Sequence, residues 1–399
     1  MTAIPAVAAG VRARLASLDI LRGVVIVLMI LDHVRDFLHE DVVRFDPLDP
    51  ARTTALLYAT RWLTHLCAPT FVFLAGTAAW LQHARGKGTR ELSGFLLRRG
   101  AWLVLLELTV LGFGWSFSIP FLLFLQVIWA IGCSMMALAA CVWLPRTVVL
   151  ALGLAILAGH NLLDGVTPAQ WGGWANLWTA LHVPGVWRHD GVPYVLDVYP
   201  LLPWCGVMLF GYGMGPVFLL PFARRARALV ALGLAMLAAF LALRYFNAYG
   251  DPDPWQPQPT AGQTVMAFLR VQKYPPSLCY VLATLGPVFA LLPLIERWRG
   301  AGARFFMVFG AVPLFAYVVH IYLAHALAVL LRVATGQSVA GQFDQMRVLV
   351  TNPQLLAGGG YPLAVVYAAW LAIVLALYPL CRWYAGVRAR RRDWWLSYL

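Results

Sequence analysis

Long apolar runs, separated by shorter polar or Pro- and Gly-containing segments, recur along the whole chain. Each run is close to or above the roughly 17 to 25 residues that a tilted helix needs to cross a bilayer. The pattern predicts an all-α, polytopic membrane helix bundle of about ten transmembrane helices in a single domain, 1–399. The predicted spans are 15–38, 56–82, 95–114, 119–143, 148–164, 198–220, 227–247, 277–295, 304–331 and 361–383.

The composition agrees with this pattern and excludes a soluble domain. Hydrophobic residues make up 61% of the 399 residues, charged residues 12%, and the mean hydropathy is +0.73. The six cysteines lie in or beside apolar runs and show no C-x-x-C spacing. They predict neither a disulfide framework nor a zinc knuckle, and we interpret them as packing residues.

The net charge of +13 is explained by where the basic residues lie. Most of them fall before the first span, in every second loop, and after the last span, whereas most acids lie at the other helix ends. Arg12 and Arg14 precede the first span, and Arg390, Arg391 and Arg392 follow the last. The positive-inside rule then predicts that both termini are cytoplasmic. The charge indicates topology, so no nucleic-acid partner is expected.

The first span carries unusually many charges for a membrane helix. At roughly 100° per residue, Arg22 and His33 point in nearly the same direction and lie about 16 Å apart along the axis. Asp19 and Asp36 fall within roughly 60° of the same line, and the helix also carries Asp32 and Arg35. Ionisable groups in a membrane are costly and indicate function. The alternative is a local Asp19–Arg22 pair with the sequence DHVRD in the headgroup layer.

Three histidines are predicted at one depth: His33, His65 and His320. Imidazole is a common general base near neutral pH, because its unperturbed pKa is close to that pH. His325 lies five residues after His320, hence on another helix face, so at most one of them shares a site with His33. A structural histidine is the alternative for each. Three histidines can also bind a metal, but the chain has neither H-E-x-x-H nor C-x-x-C-H, and no metal site is expected.

Other polar and aromatic positions leave their roles open. Glu107 is a carboxylate in the middle of the third span, with a basic group or a cavity as its expected surroundings. Arg98 and Arg99, with Arg22, are placed to meet phosphates at the cytoplasmic face, or to anchor the helices there. The longer outer loops carry Trp171, Trp174 and Trp178, which we interpret as interface anchors or as sugar-stacking residues.

Five segments, in this order, resemble bacterial members of the DUF1624 family, which is related to the catalytic domain of heparan-alpha-glucosaminide N-acetyltransferase. They are SLDILRGVVIVLMILDH (17–33), CAPTFVFLAG (67–76), YPLLPWCGVMLFGYGMG (199–215), KYPPSLCYVLATLGP (273–287) and VPLFAYVVHIYLAH (312–325). The resemblance implies a multispan protein that uses cytoplasmic acyl-CoA to acylate a sugar on the far side of the membrane.

The resemblance also bears on the catalytic histidine. The first-span histidine after LRG is where the broader membrane acyltransferases carry their catalytic histidine, and His33 occupies that position. The lysosomal enzyme, as aligned, has Asn there and a catalytic histidine in the following luminal loop. This chain has Arg44 near that position, and His39 is the nearest loop histidine.

The predicted function is an acyltransferase of the bacterial inner membrane, with acetyl-CoA or another acyl-CoA as co-substrate and a carbohydrate amine or hydroxyl as acceptor. His33 is the predicted catalytic base or acyl carrier, with Asp36 or Asp32 orienting its ring and His320 assisting. The predicted phosphate-binding residues are Arg22, Asp19, Arg98 and Arg99. The lipid bilayer is the expected surroundings, and association into a homo-oligomer is left open.

Two other functions remain open at this point. A transporter of sugars, glycans or lipids would use the same polar stripe as a pathway, although the sequence shows no convincing internal repeat. A structural partner in a glycan-assembly complex would carry a dead site and would not bind acyl-CoA.

Overall fold

The computed structural model describes residues 16–41, 43–357, 359–391 and 393. Arg12, Arg14 and Arg392, three of the basic residues in the topology prediction, lie outside the described residues. Helices account for 72% of the structure, and a helix lies in each of the ten predicted segments. The helices are α1 Ala16–Leu38, α2 Ala55–Thr64, α3 Cys67–Ala84, α4 Thr89–Leu106, α5 Gly112–Ser116, α6 Val127–Cys141, α7 Arg146–Gly159, α8 Ala175–Leu181, α9 Leu201–Met214, α10 Phe222–Phe246, α11 Ala261–Leu269, α12 Leu278–Arg297, α13 Ala301–Ala311, α14 Pro313–Ala334, α15 Gln345–Thr351, α16 Gln354–Ala357 and α17 Leu363–Arg390.

Within the described part of the chain, seven helical segments are long and apolar enough to cross a membrane. They are Ala55–Ala84, Arg146–Leu163, Leu201–Leu219, Phe222–Phe246, Leu278–Arg297, Pro313–Ala334 and Leu363–Arg390; α6 and α13 are shorter apolar helices. The chain is therefore a multi-pass membrane protein. The count of ten crossings and the cytoplasmic location of both termini stay predictions.

Four predicted spans differ from the observed helices. The predicted span 56–82 is divided into α2 and α3, with His65 and Leu66 between them. The predicted span 304–331 is divided into α13 and α14 at Val312, whose φ of −135° and ψ of 54° are not helical. Pro313 starts α14, a position where its missing N–H is not needed. Helix α4 continues through a π-helical turn, Glu107–Leu111, into α5. The predicted span 119–143 is helical only over α6, because residues before it form a strand.

That strand belongs to a small sheet that the all-α prediction omitted. Strands β1 Leu123–Leu125, β2 Gly185–His189 and β3 Val192–Asp197 form it in the order β1-β3-β2. β1 is parallel to β3 and β2 is antiparallel to β3. β1 and β2 are short or interrupted by a bulge, so neither gives a strong alternating pattern in the sequence.

The sheet lies among connecting segments that meet at one end of the bundle, called here the loop end. Asp46 pairs with Arg270 at 3.0 Å, and the Leu122 N–H donates to the Asp344 carboxylate at 3.0 Å. Tyr361 forms a bridge with His39. The connections that meet there are the described residues of 39–54, 117–126, 160–200, 247–277 and 335–362. Asp19 and Arg22 lie at the opposite end of α1.

Helix α1 is the central helix of the bundle. Most of its side chains are buried, and it contacts α2, α3, α12, α13, α14 and α17. Helix α13 approaches α1 so closely that only glycine fits at two positions. A Cβ added to Gly310 would collide with the main-chain oxygen of Asp19, and one added to Gly23 with that of Phe306. Backbone contact of this kind is typical of membrane helices, where packing replaces the hydrophobic effect.

The Gly310 contact gives a test of this packing. We expect Gly310→Ala to lower stability by about 1–3 kcal/mol, because the added methyl forces two backbones apart. The measurement is the thermal unfolding midpoint in detergent. Gly262→Ala is the matched control, since a Cβ there meets nothing within 4 Å. Equal unfolding midpoints for the two variants would show that α13 can shift to make room for the added methyl group without loss of stability.

Candidate active site

Two histidines from α1 and α14 meet in the interior of the bundle. His33 Nδ1 lies 2.7 Å from His320 Nε2, and the two rings are nearly parallel, with an angle of 9° between their planes. His33 is 7% exposed and His320 is fully buried. The predicted encounter of these side chains across 287 positions of sequence is present in the structure.

The hydrogen bonds fix which nitrogen carries each proton. His320 Nδ1 lies 3.0 Å from the Ala316 carbonyl oxygen, which only accepts, so this nitrogen is the donor. In a neutral His320 ring, Nε2 is then the acceptor, and His33 Nδ1 donates to it. In a neutral His33 ring, Nε2 consequently bears a lone pair. No described residue hydrogen-bonds His33 Nε2, which makes it the available base of the pair.

A charged cluster surrounds Asp32, the neighbour of His33 on α1. The Asp32 carboxylate accepts from Arg61 at 2.9 and 3.0 Å, from Arg35 at 2.8 Å and from Thr64 at 2.9 Å. Lys273 Nζ lies 3.8 Å from the same carboxylate. The side chains of Asp32, Arg35, Arg61 and Lys273 are at most 13% exposed. Buried charges require partners of this kind.

Asp36 completes the cluster by accepting from Arg35 at 2.6 Å. The cluster then contains the carboxylates of Asp32 and Asp36 and the cations Arg35, Arg61 and Lys273, so its formal net charge is +1. Neither Asp32 nor Asp36 hydrogen-bonds the His33 ring, although the sequence predicted that one of them orients it. His320 hydrogen-bonds the His33 ring instead, because the two carboxylates pair with Arg35 and Arg61.

The remaining histidines of this region have different surroundings. His65 packs on the Tyr280 ring at 5.3 Å, and neither of its nitrogens has a hydrogen-bond partner among the described residues. His325 bonds the Gly114 and Gln342 carbonyls at 2.9 and 3.0 Å, which indicates a structural role. His65 and His325 therefore lie outside the His33–His320 contact.

His39 and Arg44 lie in the loop after α1, where the family resemblance indicated a catalytic histidine. Both have hydrogen-bond partners away from His33. His39 Nδ1 accepts from the Asp41 N–H at 3.2 Å, and burial lowers the pKa of His39. Arg44 lies 3.4 Å from the Asp41 carboxylate and 3.3 Å from the Ala357 carbonyl oxygen. Neither residue contacts the His33 ring.

A cavity of about 240 Å³ runs between the Asp19 end of α1 and the histidine pair. Its polar lining includes Arg22, Gln82 and Arg99, and most of its wall is apolar. Tyr317 also lines it and packs edge-on against His33, with ring centroids 5.8 Å apart. Asp19 pairs with Arg22 at 3.1 Å. Arg98, predicted beside Arg99, is exposed and does not line the cavity.

Two further cavities lie toward the loop end of the bundle, and one of them reaches Trp115 beside His33. One, of about 210 Å³, is lined by Asp36, Gln126 and Trp115, and Trp115 packs edge-on against His33 at 5.2 Å. The other, of about 300 Å³, is lined by polar residues and shares Tyr274 with the first. The polar lining of the second is Asp46, Arg61, His65, Asp253, Arg270, Gln272 and Lys273.

The structure also settles the surroundings of Glu107. Its Oε2 accepts from the Trp129 N–H at 3.0 Å, in the first turn of α6, where the helix dipole favours a carboxylate. Its other oxygen has no hydrogen-bond partner among the described residues. No basic side chain within the described ranges pairs with it, so the sequence alternative of a basic partner is not observed.

The three tryptophans of the loop 165–197 do not behave alike. Trp178 is 5% exposed, donates to the Val166 carbonyl at 2.8 Å and stacks on Trp171 at 4.8 Å. It is a packing residue of the loop, neither an anchor nor an open stacking platform. Trp174 is 69% exposed and keeps both of the predicted roles open.

Sequence reasoning missed Arg61, Lys273, Trp115 and Tyr317. Arg61 lies within an apolar span, which is the same signal that singled out Glu107. Lys273 opens the segment KYPPSLCY, but nothing in its local sequence indicates a contact with Asp32. Trp115 and Tyr317 resemble ordinary core aromatics in sequence, and only the fold shows that they flank His33.

Comparison with known families gives an independent result. Residues 14–245 match the family model described as heparan-alpha-glucosaminide N-acetyltransferase, catalytic. A comparison with curated protein sequences found no match. The family match includes His33, Asp32 and Arg61, whereas Lys273 and His320 lie beyond it. Because the match covers more than half of the chain, the protein belongs to the family of the heparan-alpha-glucosaminide N-acetyltransferase catalytic domain.

Proposed function

We propose that the protein is an acyl-CoA-dependent acyltransferase of the bacterial cytoplasmic membrane, transferring an acetyl or related group to an extracytoplasmic sugar. One observation carries the proposal: a histidine pair with one unbonded nitrogen lies between cavities that approach it from opposite ends of the bundle. Membership of an acetyltransferase family supports the same reaction class.

The cavity at the Asp19 end suits the donor. Arg22 and Arg99 would hold phosphate oxygens of the acyl-CoA, and the apolar wall would hold its thioester arm. The basic residues of this end predict that it faces the cytoplasm, where acyl-CoA is present. Asp19 positions Arg22 through their ion pair.

The loop-end cavities suit a polar acceptor. Their lining includes carboxylates, amides and the Tyr274 ring, which are groups that bind sugar hydroxyls and stack on sugar rings. Tyr317 separates the His33 ring from the donor cavity, and Trp115 separates it from the acceptor cavity. In our proposal these rings move aside as the two substrates meet.

His33 Nε2 then acts as general base. It takes a proton from the acceptor amine or hydroxyl, whose nitrogen or oxygen attacks the thioester carbonyl carbon. The carbon–sulfur bond breaks, and the thiolate of CoA takes the proton back from His33. His320 holds the ring and stabilises its transient positive charge by accepting the hydrogen bond from His33 Nδ1–H. A brief acyl–imidazole on His33 would use the same nitrogen.

Removal of His33 tests the base directly. We expect His33→Ala to insert and fold but to transfer label from acetyl-CoA to a glycan about 10²- to 10⁴-fold more slowly. Labelled transfer by the purified full-length protein is the measurement, with size-exclusion profiles as the folding check. His189→Ala is the control, because His189 lies at the end of β2, is 87% exposed and lines none of the three cavities. Full transfer by His33→Ala would refute the assignment.

His320 is proposed as a positioning residue, and a conservative variant separates this role from simple packing. The Gln side-chain carbonyl can still accept from His33 Nδ1, whereas a Leu side chain cannot. We expect kcat to fall by about tenfold or more in His320→Leu, through loss of a hydrogen bond to a charged group, and to recover partly in His320→Gln. Equal kcat values for both variants would contradict the role.

Arg99 provides a test of the donor cavity. Loss of a charge-assisted hydrogen bond costs about 1.5–3 kcal/mol, so Arg99→Ala should raise KM for acetyl-CoA by roughly tenfold or more. KM for the acceptor should stay constant. Arg90→Ala is the matched control, since Arg90 is exposed on the same helix and outside the cavity lining. An increase restricted to the acceptor KM would place the donor elsewhere.

A further inference from the structure

A second cluster of ionisable side chains lies at the loop end, away from the His33–His320 pair. His160 begins the 3-10 turn His160–Leu163 after α7, Asp164 follows that turn, and His182 follows α8. One possible ligand atom from each residue lies within 4.8 Å of the others. None of the three lines a cavity that flanks His33.

The two histidines of this cluster are buried without sufficient partners. His160 is 2% exposed, and neither of its nitrogens makes a hydrogen bond within the described part of the chain. The Pro276 carbonyl lies near its ring but outside hydrogen-bonding geometry. His182 is 1% exposed; its Nε2 lies 3.1 Å from Asp164 Oδ1, and its Nδ1 has no described partner. Buried polar atoms without partners are rare and need an explanation.

The surrounding residues hold the cluster in place. Asn161 donates to the second Asp164 oxygen at 2.9 Å, and its own oxygen accepts from the Leu278 N–H at 2.9 Å. The Trp178 ring packs on His182 at 5.2 Å. Groups that orient ligands in this way are typical of metal sites, where they fix the carboxylate and the imidazole rings.

We infer that His160, Asp164 and His182 bind a divalent transition metal ion, with zinc favoured. Two imidazoles and one carboxylate form a common zinc ligand set, whereas calcium and magnesium prefer oxygen ligands. The Asp164 side chain is 23% exposed, which leaves a route for entry and a place for a water molecule as fourth ligand. Tetrahedral zinc ligands lie about 3.4 Å apart, so small side-chain rotations would close the cluster around the ion.

Such an ion would link separate segments of the chain. It would join the end of α7 to the loop that leads through α8 into β2, and Asn161 would extend the connection to α12. The sequence expectation of no metal rested on the absence of known ligand motifs. His160 and Asp164 show only an i, i+4 spacing, and the third ligand comes from a separate segment. The inference is independent of the proposed acyl transfer.

Zinc content of the full-length protein tests the site. The tag-free protein in detergent is stripped with a chelator, dialysed against zinc chloride and then against buffer, and its metal is measured by mass spectrometry. We expect about one zinc per chain and a higher thermal unfolding midpoint with zinc than without it. Asp164→Asn and His182→Ala should weaken zinc binding by about tenfold or more and abolish the shift in midpoint.

His189→Ala is the matched control, because His189 lies in the same loop region but is exposed. It should bind zinc as the unchanged protein does. Zinc binding by Asp164→Asn equal to that of His189→Ala would overturn the inference, as would a chain that retains no zinc and shows no shift in midpoint. If His182→Ala fails to fold, Asp164→Asn decides, since Asp164 is the most exposed of the three ligands.

Discussion

The buried carboxylate of Asp32 is the constraint on which the rest of the site depends. A charge inside a membrane helix is tolerated only when it is paired, and Asp32 finds its partners in three separate parts of the chain. Arg35 comes from the same helix, Arg61 and Thr64 from α2, and Lys273 from the loop before α12. Removing one partner of a buried pair typically costs about 3–5 kcal/mol, so the cluster fixes how these segments sit around α1.

The same constraint explains why His33 is held by another histidine. The carboxylates of Asp32 and Asp36 on α1 pair with cations and make no hydrogen bond to the ring. His320 provides a neutral acceptor whose own proton is fixed by the Ala316 carbonyl. A ring oriented in this way keeps one nitrogen unbonded, and the side chain that orients it is a neutral imidazole. The pairing and the charged cluster are thus two consequences of one arrangement of α1.

Much of the fold was predictable because long apolar runs give a strong helical signal. Every predicted segment contains a helix, and the errors fall where a change of backbone structure leaves the hydrophobic pattern unchanged. The break at Val312 lies inside an unbroken apolar run, and β1 has only three residues, so neither disturbs the hydrophobic pattern. For the site, the predicted spans were sufficient to place His33 and His320 at a common depth. It could not predict their hydrogen bond, nor which groups Asp32 prefers, because those depend on contacts between distant segments.

The hydrogen bond between His33 and His320 also has a consequence for how the protein is made. The two residues are 287 positions apart, so α1 enters the membrane long before its partner helix is synthesised. Lys273 likewise appears only after most of the chain has been translated. During that interval Arg35, Arg61 and Thr64 are the partners of Asp32 that have already been synthesised. The geometry of the histidine pair is therefore completed late in biogenesis, and a chain truncated before α14 would contain His33 without the residue that orients it.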